Sequence, residues 1–326
     1  MTTYLPPTTS VRQTTTMRIG LGLPQLGPFA DPEATRTVAR AAEKAGFASL
    51  WAMDRLLSPL APRTMRYPGS ADGALPKEQQ IVLDPLVALT VAAAVTERIS
   101  VGTDVLVAPW YPPVLLARSL ATLDQASAGR LVVGLGLGWS VDEFDAVGAP
   151  MRQRGARLDE ILDVMETLWN AEATEIETSH ERIAASVVGL KPVQRPHPPI
   201  LLAASTPAGL ERVARRADGW LPFGLPLDGI RSMWASVRQA AERHGRDPEQ
   251  LQLVLRGDPT FTDVRLGADR MPFTGTWQQV IDDIHRAREL RVAELILDLQ
   301  TSSRSPDELV ETAIRLTEED RTVLAA

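Results

Sequence analysis

Eight times along the chain, a short apolar run is followed by a stretch carrying helix start and stop signals. That alternation limits the fold more than any other feature. The runs lie at residues 18–23, 47–53, 99–107, from 131 onward, 200–204, 219–221, 251–255 and 293–299. Asp31-Pro32, Asp84-Pro85, Thr206-Pro207 and Ser305-Pro306 each place a capping side chain before a proline at the first helical position, and Gly46, Gly129 and Gly245 stand where helices stop. Ser140 caps a short helix, followed by an amphipathic one at 157–169 whose Leu158, Ile161, Leu162, Met165 and Leu168 share a face. Asp228 and Thr276 open two more. Eight parallel βα units close into a barrel with its working groups at the C-terminal strand ends. The fold class is therefore α/β, a (β/α)8 TIM barrel, with insertions at 56–80, 170–198 and 257–275. The units span nearly all of 17–326, as one domain after a Thr/Pro-rich tail at 1–16 that reads as disordered.

The fourth run, Leu131 to Ser140, carries Gly134, Gly136 and Gly138. A dinucleotide-binding loop of a doubly wound sheet needs a further glycine three residues after the second, and that position is Trp139. The glycines must serve something else: close packing at Gly134 and Gly136, and room for a ring at Gly138. A net charge of −7 gives no basic surface for nucleic acid or anionic lipid. With no cysteine and four unpaired histidines, no metal site is expected. Residues 1–16 lack a signal-peptide pattern, and the apolar run at 86–95 is too short to span a membrane, so a cytoplasmic protein is expected.

Residues 46–54 (GFASLWAMD), 99–107 (ISVGTDVLV), 121–125 (ATLDQ), 129–139 (GRLVVGLGLGW) and 194–200 (QRPHPPI) resemble the bacterial luciferase-like monooxygenases over about 18–299. Residues 154–160 (RGARLDE) look most like the actinobacterial branch that uses the deazaflavin coenzyme F420. The resemblance implies a TIM-type barrel with insertions, a flavin-type cofactor and a small organic substrate. F420 with hydride transfer is the first expectation. FMN with oxygen activation is the alternative, its electrons supplied by a separate reductase. A barrel without redox chemistry, serving as a binding module or a cyclase or isomerase, is the rival from another class. Homodimers of the family form through outer helices near strands two and three, where helix 86–95 lies.

The resemblance also marks residues. Ala203, Ala204, Ser205 and Thr206 fall where the family holds the cofactor phosphate, at a strand end opening a helix, a junction that suits an anion. Asp104-Val105 aligns with a cis or bulged peptide that presses on the cofactor ring, with Gly138 close by. The family commonly has Asp-His at strand two, whereas here Asp54-Arg55 stands, and an arginine holds an anion rather than exchanging a proton. Trp139 replaces the acid of the family's sugar-phosphate dehydrogenases; its indole can wall a pocket or stack on a ring. Leu23 and Gln25 at strand one, and Arg63, Arg66 and Tyr67 in the long loop, are substrate-side candidates. Arg256 and Asp258 after strand seven have a weaker claim, Trp51 is read as wall packing and His197 as structural.

Overall fold

The computed structural model describes residues 17–64, 67 and 73–324; the proposed tail at 1–16 and Arg66 lie outside them. Eight parallel strand positions close into a barrel: β1 (Arg18–Gly22), β2 (Ser49–Ala52), β3 (Ser100–Thr103) continued by β4 (Leu106–Val107), β5 (Leu131–Gly136), β8 (Ile200–Leu202), β9 (Gly219–Trp220), β10 (Gln252–Gly257) and β13 (Glu294–Leu297). β1 pairs with β13 and β2, and the ring closes where β3 meets β5 at Val101↔Leu131 and Gly102↔Val132. Helices α1 (Pro32–Ala45), α2 (Pro85–Ala94), α3 (Pro113–Ala126), α4 (Val141–Ala146), α5 (Arg154–Asn170), α6 (Pro207–Arg216), α7 (Leu227–Arg243), α8 (Trp277–Glu289) and α9 (Pro306–Leu324) follow the strands. Asp31, Asp84, Ser140, Thr206 and Thr276 each accept a backbone N–H as N-caps, as their positions in the sequence required.

Two layers of apolar side chains hold the barrel. One lies between strands and helices, and a smaller one inside joins Trp51, Leu201, Leu221, Val254 and Ile296. Trp51 plugs the interior. Its indole N–H lies 2.6 Å from Ser49 Oγ and 2.9 Å from Glu294 Oε1, and Gly102 leaves the space its ring occupies, since a Cβ there would sit 2.5 Å from it. The C-terminal mouth is left for chemistry.

The third strand departs from the continuous run expected over 99–107. Between Gly102↔Val132 and Leu106↔Leu135 it takes four steps while β5 takes three, so one extra residue bulges out at Asp104–Val105, whose peptide is cis. The glycines of β5 now have a reason. A Cβ on Gly134 would sit 2.0 Å from Thr103 O, and one on Gly136 2.6 Å from Val105 Cγ2. Gly138 differs from its expected role: with φ +67° and a Cβ position 2.6 Å from Val107 Cγ1 and 3.0 Å from Phe144, it serves a left-handed turn against packed side chains as well as bordering the cavity. The insertion at 170–198 contains an antiparallel hairpin, β6 (Ala173–Glu177) and β7 (Arg182–Val187), which polar, mostly exposed residues hid from the sequence pattern. Two short parallel strands, β11 (Thr260–Phe261) and β12 (Thr274–Gly275), brace the loop after β10.

Candidate active site

Two cavities of nearly equal size open at the barrel mouth. The first, about 370 Å³, runs from the bulge at Asp104–Val105 and the turn Leu137–Trp139 to the N-terminus of α6. Val105, Val107, Leu137, Leu158, Leu202 and Leu221 make its walls apolar. At the α6 end, Ala203 and Ala204 are half-buried while Ser205 and Thr206 are exposed. Thr206 Oγ1 accepts the Gly209 N–H at 3.2 Å, and Gly209 is required there because a Cβ would approach Ala204 Cβ to 2.9 Å. Two guanidinium groups face this end, both outside the expected set. Arg212 is clamped by Asp159 at 2.9 and 3.0 Å. Arg154 donates to Met151 O at 3.3 Å, while its buried Nε has no hydrogen-bond partner. An apolar slot ending in a helix N-terminus and an unsatisfied guanidinium N–H fits a planar ring with a phosphate-bearing tail.

Asp54 and Arg55 line the same cavity but do not pair with each other. Asp54 accepts from Val107 N at 3.0 Å and Tyr111 OH at 2.8 Å, and burial pushes its carboxyl up to about 6. Arg55 instead donates to Glu143 at 2.7 Å, with side chains only 3% and 1% exposed. Its guanidinium lies over the Trp139 ring at 5.0 Å. The Ser-x-x-Glu spacing of 140–143 has the look of a capping box. In the fold the Glu143 carboxylate turns away to Arg55 and the Leu56 N–H, which is why the sequence alone did not select it.

From Trp139 the rings continue. Tyr67 lies 5.7 Å from Trp139 and 6.4 Å from Phe223, and Arg256 sits 4.8 Å over Phe223. Arg256 is the hub of a buried ionic cluster: Asp258 at 2.7 Å, Asp298 at 2.9 Å and Asp104 at 3.5 Å. Burial raises the Asp104 carboxyl to about 7, with Arg256 opposing, and raises Asp258 to about 6. Phe223, Asp298 and Arg154 carry no local motif; only the barrel brings them here.

The substrate-side candidates separate. Tyr67 is buried and borders both cavities, its phenol oxygen accepting from Gln79 Nε2 at 3.0 Å. Leu23 is wholly buried in the core. Gln25 is spent on Met53 N, Met53 O and Leu83 O. Arg63 is exposed and binds Asp142 and Asp145, tying the long loop to α4 instead of entering a cavity. These three do not line either cavity. His197 packs beside Trp169 and its Nδ1 contacts Pro198 O.

The family model for luciferase-like monooxygenases matches residues 8–271. The chain belongs to that family. An uncharacterized protein of Mycobacterium tuberculosis is 36% identical over 211 residues, covering 64% of this luciferase-like chain and 74% of that protein. The FMNH2-dependent dimethylsulfone monooxygenase of Pseudomonas putida is 31% identical over 155 residues, 47% of this chain and 42% of the relative. Among solved structures, monooxygenase RslO1 from Streptomyces bottropensis superposes with a TM-score of 0.73 at 24% identity, over 95% of this chain and 100% of that one. An F420-dependent secondary alcohol dehydrogenase superposes at 0.76 with 16% identity, over 93% and 99%. These two likenesses establish the luciferase-like barrel. No helix among the described residues is long and apolar enough to cross a membrane.

Proposed function

We propose that this luciferase-like protein is an F420-dependent oxidoreductase acting on a small organic substrate. The observation that carries the reading is the first cavity's pairing of an apolar slot against Asp104–Val105 with the unsatisfied Arg154 Nε beside the start of α6. Ser205, Thr206 and the Gly209 turn, with Arg154 and Arg212, would hold the cofactor's phosphate end; Val105, Leu137 and Trp139 would border its ring. A bound deazaflavin supplies a hydride to an organic acceptor. The protein's part is to exclude water with its apolar walls, orient the ring, and hold a proton nearby. Trp139 and Arg55 are poor proton carriers. The Asp104 carboxyl, raised to about 7 and bordering the cavity, is the group suited to give or take a proton near neutral pH, with Arg256 positioning it.

A second reading, an FMNH2-dependent monooxygenase fed by a separate reductase, draws on the identity with the Pseudomonas enzyme. Fluorescence titration of the full chain with F420 and with FMN separates the two. F420 should bind in the micromolar range, and Arg154→Ala should weaken it about ten- to a hundredfold, the loss of a hydrogen bond to a charged group. Binding of FMN alone moves the protein to the monooxygenase reading. Binding of neither leaves a non-redox barrel.

A further inference from the structure

The second cavity, about 380 Å³, lies under the loop after β10 and shares only Tyr67, Phe223 and Arg256 with the first. We propose that it is a separate chamber for a largely apolar organic molecule bearing a hydrogen-bond donor and no negative charge, and that Tyr67 and Phe223 are the wall between the two chambers. Calling that molecule the substrate rests on the reading above; its binding does not.

The chemistry of the lining selects this class. Leu225, Leu255, Leu266, Met271, Pro272 and Phe273 enclose most of the volume in hydrocarbon. The inner end presents Asp258 and Asp298, both engaged on Arg256, with Asp104 behind them. Three carboxylates thus surround one guanidinium. The other cation on the lining, Arg270, is neutralised by Asp283 at 2.6 and 3.0 Å. An incoming carboxylate or phosphate would lose its water and meet like charge, whereas a hydroxyl or amine would find acceptors. Gln79 adds a second acceptor. It lines the cavity at 3% exposure, and its Oε1 has no hydrogen-bond partner while its Nε2 is committed to Tyr67. A buried unsatisfied acceptor is stabilised by a donor arriving on a ligand.

The wall is held at both ends. Arg256 and its carboxylates fix Phe223 from one side; Glu143 and Arg55 fix Trp139 from the other. Tyr67 is the one ring in the row that comes from the long loop between β2 and α2, so it is the removable piece.

Calorimetric titration of the full chain at pH 7 with 2-naphthol and with 2-naphthoate tests the chamber, without needing turnover. The naphthol should bind, and the naphthoate should bind about tenfold more weakly or worse, the effect of one like-charge encounter on a partly buried site. Leu225→Trp, which borders the second cavity alone, should weaken 2-naphthol about tenfold or more by filling space, with F420 or FMN affinity unchanged within about twofold. Met271→Trp gives the same test should the first variant lose its circular-dichroism signature. Cofactor and 2-naphthol should bind the native chain together, and begin to compete in Tyr67→Ala. No 2-naphthol binding, equal binding of the naphthoate, insensitivity to both filling variants, or competition in the native chain overturns the chamber. Absent competition in Tyr67→Ala overturns the wall. Failure of F420 and FMN to bind, with naphthol behaving as described, sinks the cofactor reading alone.

Discussion

The two cavities have nearly the same volume, about 370 and 380 Å³, and share three wall residues, yet their charged ends are opposite. The first ends on Arg154, Arg212 and the start of α6; the second ends on Asp258 and Asp298. Size therefore does not assign the ligands. What distinguishes the chambers is which strand ends border them: β5 and β8 bring backbone N–H groups and arginines, while β10 and β13 bring carboxylates. The row of rings between them keeps the two fields apart, and it rests on buried ion pairs whose removal can be measured.

Glu143→Ala should have the largest effect. It strands the Arg55 guanidinium at 3% exposure and removes the acceptor of the Leu56 N–H, so a loss of about 3–5 kcal/mol in chemical denaturation is expected. A loss below about 1 kcal/mol would show that the Trp139 end of the wall is held by packing alone.

Asp104, on the wall's other end, gives a pH signature. Its carboxyl keeps a proton up to about 7 when folded, against 3.8 ordinarily, because burial disfavours the charge. Between about pH 4 and 7 the unfolded chain therefore binds fewer protons than the folded one, and this group makes stability fall as pH rises, by at most about 1.4 kcal/mol per unit. Above pH 7 its contribution to the slope ends. Asp54 and Asp258 act in the same direction up to about 6. Asp104→Asn should flatten the stability profile chiefly between pH 6 and 7; an unchanged profile there would mean that Asp104 is ionised beside Arg256.

Arg63→Ala should do least. Its ion pairs to Asp142 and Asp145 are exposed, and it borders neither cavity, so the unfolding midpoint and cofactor affinity should stay at the native values. A clear change in affinity would mean that the loop's tie to α4 helps to seat Tyr67.

Much of the frame was legible in the chain. The caps at Asp31, Asp84, Ser140, Thr206 and Thr276 and the eight apolar runs are local signals, and local signals specify strands, helices and hence the barrel. The Gly134–Gly136 spacing marked the place where something had to come close, and Asp104–Val105 is what comes close. Asp54, Arg55, Trp139 and Ala203–Thr206 all line the first cavity, because strand ends in a barrel converge on one mouth. Partners were another matter. That Arg55 belongs to Glu143 rather than Asp54, that Gln25 is consumed by Met53 and Leu83, and that Tyr67 stands between Trp139 and Phe223 depend on residues far apart in sequence. The sequence by itself determined the barrel and the strand ends that would carry chemistry, since periodicity and capping act over a few residues. Only the tertiary structure decided the division of the mouth into a cationic and an acidic chamber, because charge pairing and ring stacking are settled by distances between strands, which no local pattern records.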